Sequence, residues 1–562
     1  MTSNWVLSPG LLLVIGAFIV PFVNGRLRDA LLLGLPLATL WLVWWLPEGT
    51  LLTLSFLDYE LEPVKNTIAG RLFATVFSIM AFAGALFALR QARTVELAAA
   101  FAYAGSAICV TFAGDLITLF VFWELMALGS TLVIWSAGSH RAYRASMRYL
   151  AIHLLGGVLL MVGIAGHIAD TGSLSFAPMA LDSTAHWLIL AGFLVNAGAP
   201  PLSAWIPDAY PEASPSGTVF LSAFTTKTAV FALLVGFPGT TLLIGVGLYM
   251  VFYGIIYALL ENDMRRILAY SIVNQVGFMV TGIGIGTEMA LNGAAAHAFA
   301  HIIYKALLLM SAGSVLHMTG KRKCTDLGGL FQSMPLTTVC GIIGALAISA
   351  FPLTSGFVSK SMISQGAADQ HLMVVWMLLA AASAGVFLHA GIKFPWFVFF
   401  QKDSGLRPPD PAWNMRVGMI LFSALCLGLG MFPEPLYALL PYPVDYVPYT
   451  AGHVITQSQL LLFAGLAFFV MLPMMKRTLT ITLDLDWFYR RFGRVLADEF
   501  TLHASKVRAN LERTARVGVE RFIRGLFRQH GPQGILARTW PTGSMVLWVA
   551  ILLAVYLVLY YV

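Results

Sequence analysis

Blocks of about twenty apolar residues alternate with short polar loops along most of the chain. An α-helix rises about 1.5 Å per residue, so each block is long enough to cross the hydrocarbon core of a bilayer. The pattern predicts an all-α polytopic membrane protein with sixteen spans. The predicted spans are 7–23, 29–46, 71–89, 96–114, 116–137, 146–168, 186–207, 215–236, 241–260, 267–286, 289–317, 336–366, 372–400, 417–440, 456–475 and 542–562.

The segment between the last two spans follows a different pattern. Over 494–528 apolar residues recur at steps of three, four or seven, and arginines fill the opposite face. This spacing predicts a basic amphipathic helix that lies on a membrane surface, where it contacts lipid or braces other subunits. The predicted organisation is N-terminal helices (1–95), a first half (96–260), a second half (261–400), peripheral helices (401–475), a lateral segment (476–540) and a final span (541–562).

Composition supports a membrane class and excludes several others. The chain is 58% hydrophobic and 11% charged, as expected of a helical bundle in lipid. Its four cysteines form no CxxC pair, so we expect no metal site, no cluster and no cofactor. The net charge of +7 lies in loops on one side of the membrane, which argues against nucleic acid as a partner.

Loop charges predict the orientation. One set of alternate loops carries only Lys65 and Arg71 as basic residues. The other set carries Arg26, Arg28, Arg90, Arg93, Arg141, Arg144, Arg148, Arg265, Arg266, Lys321, Arg322, Lys323, Lys402, Arg407 and Arg416. Basic loops stay in the cytoplasm, so we expect an inner-membrane protein with both termini on the outer face and the lateral segment on the cytoplasmic face. The stretch 7–23 lacks a cleavage signal and is expected to remain as the first helix.

A broken helix beside a buried lysine marks the seventh and eighth spans. Gly198, Pro200 and Pro201 interrupt the seventh span, because proline lacks an N–H and clashes with the preceding turn. Lys227 lies about twelve residues into the eighth span, near the bilayer centre. An ionisable group at that depth is costly, and its position beside a broken helix is typical of ion pathways.

The same arrangement recurs in the twelfth span. A break near 352–356 is followed at once by Lys360, so the two halves have a similar layout, as in transporters built from inverted repeats. In the thirteenth span His389 and Lys393 are spaced i, i+4. Lys393 is near the cytoplasmic end of the span. A functional role and simple extension of its ammonium group to the membrane interface explain its position equally well.

Two further spans carry ionisable groups. Glu124 lies well inside the fifth span and is interpreted as a proton-binding carboxylate, with a structural salt bridge as the alternative. His297, His301 and Lys305 in the eleventh span follow one helix face at i, i+4 and i+8. Histidine changes charge near neutral pH, so this column favours a proton relay over ordinary helix contacts.

Five motifs resemble one family of membrane subunits. They are FWE at 122–124, PLSAWIPDAYPEASPS at 201–216, TKTAVFAL at 226–233, DMRRILAYS at 263–271 and SGFVSK at 355–360. In this order they resemble the antiporter-like family shared by Mrp-type cation/proton antiporters, above all their D-type component, and the proton-pumping membrane subunits of complex I and membrane hydrogenases. The resemblance implies a fourteen-helix core with inverted repeats, and a C-terminal lateral helix as in the largest members.

The resemblance also implies residue roles. Glu124, Lys227, His301 and Lys360 match the positions at which the family carries its ionisable residues. The usual lysine of the seventh helix falls at Asn196, whose side chain cannot carry charge. Glu124 therefore lacks its expected partner.

Three functions are consistent with the sequence. The first is a subunit of a multisubunit Na⁺/H⁺ antiporter that moves protons through Glu124, Lys227, His301, Lys305 and Lys360. The second is a proton-pumping subunit of a redox-driven complex, and the third is a membrane scaffold whose channel has lapsed, which Asn196 makes plausible. All three imply a lipid bilayer and other membrane subunits as partners, and the first implies protons and Na⁺.

Overall fold

The computed structural model describes residues 6–57, 59–474 and 484–562. Within these ranges thirteen helices are long and apolar enough to cross a membrane, and three further apolar helices are shorter. Each of the sixteen predicted spans overlaps one of them, and the predicted all-α polytopic class is confirmed. Residues 475–483, where the predicted lateral segment begins, lie outside the described residues.

The helices account for most of the described residues. Their bounds are α1 (Pro9–Ile19), α2 (Gly25–Trp45), α3 (Ile68–Ala88), α4 (Thr94–Thr111), α5 (Leu116–Trp135), α6 (His140–Thr171), α7 (Thr184–Ala197), α8 (Trp205–Ala209), α9 (Pro215–Leu221), α10 (Thr225–Gly236), α11 (Leu242–Leu260), α12 (Met264–Ile285), α13 (Glu288–Thr319), α14 (Pro335–Ile348), α15 (Ser355–Asp369), α16 (Met373–Val386), α17 (Trp413–Met431), α18 (Glu434–Tyr437), α19 (Ala451–Val470), α20 (Asp486–His530) and α21 (Thr542–Tyr561). Helix α16 continues into π-helical segments at Phe387–Lys393 and Trp396–Phe400.

Two predicted regions need correction. The predicted loop between the second and third spans contains a hairpin, in which β1 (Gly49–Phe56) pairs antiparallel with β2 (Tyr59–Asn66). The apolar pattern predicts that the fourteenth span reaches residue 440, but α17 ends at Met431, where Pro433 follows closely and cannot continue the helix.

The C-terminal helices form a separate compact unit at 487–562. The predicted amphipathic segment 494–528 lies wholly inside α20, whose 45 residues give a length of about 68 Å. Side chains of α20 and α21 are exposed almost throughout within this single chain. Apolar exposure along α21 fits a span that faces lipid or another subunit.

The centre of the larger unit is formed by α12 and α13. Nearly all of their residues are buried, and α13 packs against α12, α14, α15 and α17. Polar side chains on these two helices are therefore held away from lipid. This position makes α13 the structural axis around which the ionisable residues of both halves gather.

Three spans are interrupted. Helices α7 and α8 are separated at the predicted break, where Gly198 adopts a φ of +79°. Helices α14 and α15 are separated at Ser349–Thr354, close to the predicted 352–356. The eighth span, which the sequence pattern predicts to be continuous over 215–236, is also interrupted, at Ser222–Phe224 between α9 and α10. Neither glycine nor proline occurs at these three positions, so the local sequence does not predict this break.

A buried arginine holds the elbow between α8 and α9. The Arg265 guanidinium donates hydrogen bonds to the carbonyls of Pro211 (2.8 Å), Ala213 (2.9 Å) and Ser214 (2.8 Å), and also contacts the Thr218 hydroxyl. The Ser214 carbonyl also accepts from the Thr218 N–H at 3.1 Å, and Arg265 adds a donor to all three carbonyls of this buried elbow, where backbone groups need partners. The planar, five-donor guanidinium suits such a cluster, because several acceptors can be bound at once.

We expect Arg265→Lys to destabilise the protein while it retains the positive charge. An ammonium group cannot match the guanidinium fork, and each charge-assisted hydrogen bond that is lost costs about 1.5–3 kcal/mol. The thermal unfolding midpoint of the solubilised complex should fall. Arg144→Lys, at an exposed position in the first turns of α6, is the matched control and should leave the midpoint unchanged. Equal midpoints for the two variants would contradict this role of Arg265.

Candidate functional site

Lys227 is fully buried at the break of the eighth span. Its Nζ donates to the backbone carbonyl of Ser222 at 2.6 Å and to the Thr226 hydroxyl at 3.1 Å. Ser222 closes α9, so its carbonyl lies at the partially negative end of a helix segment. The break therefore supplies the acceptor that an ammonium group needs in an apolar interior.

Lys360 in α15 is held in the same way. Its Nζ donates to the carbonyl of Ile348, the last residue of α14, at 3.1 Å, and lies 4.7 Å from the centroid of the Phe278 ring. Both candidate lysines thus bind a carbonyl at the end of the helix segment that precedes them. Neither forms an ion pair among the described residues.

The predicted column on α13 lies between these two lysines. His297, His301 and Lys305 are all fully buried, and the column extends about 12 Å along the helix. Lys227, Lys305 and Lys360 all lie within electrostatic range of His301. The structure thus gathers the ionisable residues of the eighth, eleventh and twelfth spans into one buried cluster.

The two histidines of the column differ in their hydrogen bonds. The His297 ring nitrogens lie 3.1 Å from the Ser359 hydroxyl and 3.0 Å from Oε1 of Gln275, which also accepts from Tyr304. Neither ring nitrogen of His301 has a hydrogen-bond partner among the described residues. His297 is therefore fixed in a polar network, whereas both nitrogens of His301 are free to exchange protons with water or a neighbour.

Two further ionisable residues, His389 and Lys393, lie in the π-helical segment that follows α16. His389 is fully buried in the π-helical segment, and Lys305, Lys360 and Lys393 lie within electrostatic range of it. Lys393 donates to three carbonyls at the end of α11, those of Ala258 (3.0 Å), Leu259 (2.6 Å) and Glu261 (2.6 Å). Lys393 therefore caps the C-terminus of α11, which is a structural role. A role in a proton path would be additional to it.

Glu124 and Asn196 lie away from the cluster. Glu124 is half-buried, and among the described residues its Oε1 has no hydrogen-bond partner and no cation pairs with it. Gly157 of α6 faces this carboxylate so closely that a Cβ atom there would overlap it. The neighbouring Gly156 lies near Asn196, whose Oδ1 is 3.8 Å from the position that a Cβ would take. The two candidate residues thus border a glycine pair on α6.

Sequence reasoning missed the polar residues that surround the charged ones. Gln275, Ser359 and Tyr304 bind His297, and Gly157 makes room for Glu124. Polar amides and hydroxyls within an apolar span, such as Gln275, are an available signal. The glycine pair at 156–157 is a second signal, since adjacent glycines inside a helix carry a stability cost that close packing can explain.

Comparison with known proteins identifies the family. The profile of the family described as "NADH:quinone oxidoreductase/Mrp antiporter, TM" matches residues 113–386, which include both half-spans around Lys227 and the α13 column. The chain is also 31% identical over 350 residues to the D-type component of the Na⁺/H⁺ antiporter of Alkalihalophilus pseudofirmus, covering 58% of this chain and 70% of that protein. The chain belongs to the NADH:quinone oxidoreductase/Mrp antiporter family. It is thus a multi-pass membrane protein of the antiporter and complex-I-like class.

Solved structures of this family share the fold. The chain superposes on a chain of the Mrp complex from Dietzia sp. DQ12-45-1b with a TM-score of 0.71 and 22% identity, covering 98% of this chain and 63% of that one. It superposes on a chain of the membrane-bound sulfane sulfur reductase, an archaeal respiratory membrane complex, with a TM-score of 0.69 and 25% identity, covering 81% of this chain and 98% of that one. Both neighbours are multisubunit assemblies.

We expect Gly157→Ala to lower transport by about tenfold, because the added methyl group must displace the Glu124 carboxylate and small misplacements of reacting groups are costly. Gly245→Ala is the matched control, since the space around that glycine is open. Alanine favours a helix at both positions, so helix propensity predicts no loss for either variant. Ion transport in vesicles measures the difference, and equal rates would show that Glu124 tolerates displacement.

His297→Ala and His301→Ala should separate stability from transport. Loss of His297 removes its hydrogen bonds to Ser359 and Gln275, which keep their bonds to the Ser355 carbonyl and to Tyr304. Each lost hydrogen bond costs about 0.5–1.5 kcal/mol beyond the shared cavity. Loss of His301 leaves no hydrogen bond unmade, so we expect the lower transport rate from His301→Ala and the lower thermal midpoint from His297→Ala. The reverse order of either measurement would contradict the assignment.

Proposed function

We propose that this subunit translocates protons in a multisubunit monovalent cation/proton antiporter, with Na⁺ as the exchanged cation. The buried cluster of Lys227, His301, Lys305 and Lys360 is the observation that carries this proposal. It joins two broken spans through α13, one of the two central helices, and its members differ in their hydrogen bonds. The 31% identity to a Na⁺/H⁺ antiporter subunit supports the choice of reaction.

Each residue has a distinct role in this proposal. Lys227 carries a proton on Nζ while it donates to Ser222, and it can release that proton when the contact opens. His301 receives and passes protons through either free ring nitrogen, with Lys305 adjacent on the same helix face. Lys360 repeats the part of Lys227 in the second half, against the carbonyl of Ile348. His389 and Lys393 extend the route toward the end of α16.

Glu124 and Asn196 form a second site in this proposal. A protonated lysine at position 196 would favour the ionised carboxylate, whereas the amide of Asn196 can bond a carboxyl group in either state. Glu124 then takes up and releases its proton without a fixed partner in this chain. A cation from a neighbouring subunit or a bound metal ion would supply the missing charge.

The assembly follows from loop charges and from the similarity to multisubunit complexes. The arginine-rich loops face the cytoplasm, the termini face outward, and the amphipathic α20 lies on the cytoplasmic surface of an inner membrane. There its apolar stripe packs along other membrane subunits, and the lipid bilayer surrounds the rest. A redox-driven proton pump is the second candidate, favoured by the near-complete overlap with a chain of a respiratory membrane complex.

Lys227→Met tests the proposal, because methionine fills the site without a titratable group. In inverted vesicles that contain the assembled complex, we expect Na⁺-dependent proton movement to fall by at least about a hundredfold, as for loss of a proton-transfer group. Lys321→Met, at an exposed position beyond α13, is the control and should transport at the wild-type rate.

Two outcomes would overturn parts of the proposal. Wild-type transport by Lys227→Met would remove Lys227 from the proton route. Proton movement that depends on an electron donor and ignores Na⁺ would favour the redox-driven pump over the antiporter. The same vesicles serve both measurements, with a pH-sensitive dye inside them.

A further inference from the structure

The break before Lys227 creates an unsatisfied backbone group. Helix α10 begins at Thr225, and the first N–H groups of a helix have no partner inside it. The residue at the capping position is Phe224, whose side chain offers no acceptor. A serine, threonine, asparagine or aspartate usually fills this position, and its loss costs about 0.5–2 kcal/mol in other helices.

A tyrosine from another helix supplies the missing acceptor. The hydroxyl of Tyr103, in the middle of α4, accepts the hydrogen bond of the Thr225 N–H at 2.9 Å. The same hydroxyl lies 2.6 Å from the side-chain oxygen of Thr225. Both residues are completely buried, so no water competes for these groups from the surface. Tyr103 thus acts as the capping residue of α10, although it lies 122 positions before Thr225 in the chain.

The directions of the hydrogen bonds follow from the far end of this network, where Ser130 donates to a carbonyl and Tyr149 donates to Ser130. The Thr225 proton is therefore used toward Tyr149, and the Tyr103 proton points to the Thr225 oxygen. The Thr225 hydroxyl then donates to the hydroxyl of Tyr149 at 3.3 Å, which donates to Ser130 at 2.9 Å. Ser130 in turn donates to the Met126 carbonyl of its own helix. The four hydroxyls therefore form one ordered chain across α4, α5, α6 and α10.

Packing fixes the tyrosine in place. Gly129 of α5 lies against the backbone of Tyr103, where a Cβ atom would approach to 2.9 Å, so α4 and α5 can come close together. The Tyr103 ring also packs edge-on against Phe224, with 5.0 Å between ring centroids. The hydroxyl is thereby aimed at the start of α10 rather than free to rotate among partners.

We propose that Tyr103 is a positioning residue for Lys227, since it caps the first turn of α10 and so sets where the Lys227 ammonium meets Ser222. Lys227 is the third residue of α10, and its own N–H bonds to the Phe224 carbonyl at 3.0 Å, within the capped turn. The two sides of the break are then satisfied reciprocally. Tyr103 binds the free N–H of α10, and Lys227 binds the free carbonyl of α9. This inference rests on the proposed proton transport through Lys227.

The test compares Tyr103→Phe with Tyr149→Phe in the assembled complex. Each variant removes one buried hydroxyl from the same chain, but only Tyr103 binds the backbone of α10. We expect Tyr103→Phe to lower transport about tenfold, as for one buried N–H left without a partner, and to move the pH at which transport is half-maximal. Tyr149→Phe should change both quantities much less. Thr228→Val, on the same helix and with a hydroxyl that has no partner among the described residues, should match the wild type.

The outcomes separate this inference from the proposed function. Wild-type rate and pH profile for an assembled Tyr103→Phe complex would overturn it, and so would equal effects of Tyr103→Phe and Tyr149→Phe. If Tyr103→Phe does not assemble, Thr225→Val decides instead. That variant removes the hydroxyl that holds the phenol, so we expect a smaller loss of the same kind, and wild-type behaviour would overturn the inference. If Lys227→Met is inactive while one of these contrary results is obtained, only the inference about Tyr103 fails. The proposal that protons pass through Lys227 then still stands.

Discussion

An ammonium group in an apolar interior needs hydrogen-bond acceptors, and the arrangement of this fold depends on how the backbone supplies them. Lys227 and Lys360 each donate to a carbonyl at the end of the preceding helix segment. The carbonyls inside an uninterrupted helix are already bound by an N–H one turn further on, whereas the last carbonyls of a helix segment lack that partner. The break and the lysine therefore stabilise each other at these two positions. A buried lysine can also share a carbonyl inside a helix, as Lys305 does with Leu268 at 3.3 Å.

The breaks themselves are held by residues from distant parts of the chain. Arg265 binds the carbonyls of the elbow between α8 and α9, and Tyr103 binds the start of α10. Both contacts satisfy backbone groups that irregular structure leaves open inside the membrane, where water is scarce. Side chains of α4 and α12 thus bind the backbone groups that the interruption would leave unpaired. Because Tyr103 and Arg265 are themselves buried, the breaks have well-defined positions.

The sequence predicts the spans and the charged residues, but not the groups that bind them. Long apolar blocks and prolines identify the helices and the break at Gly198, since both effects are local. The break at Ser222–Phe224 has no local signal, because it depends on Tyr103 from another helix. The spacing of His297 and His301 is likewise correct, yet it cannot reveal that only His297 is bound to Gln275 and Ser359. Such differences arise from tertiary contacts that periodicity does not encode.

The composition of the buried cluster bears on how its members influence one another. Lys227, Lys305 and Lys360 lie within electrostatic range of His301, and Lys305 also lies within range of the other two lysines. Protonated forms of these groups repel one another more strongly than in water, so a proton that arrives at one favours departure from another. Glu124 does not belong to this cluster, but its helix α5 is connected to the helix that carries Lys227. Ser130 of α5 accepts from Tyr149, which bonds to Thr225 two residues before Lys227. Helix α5 is therefore joined to the first turn of α10 through hydroxyl groups, while the backbone of that turn is bound by Tyr103.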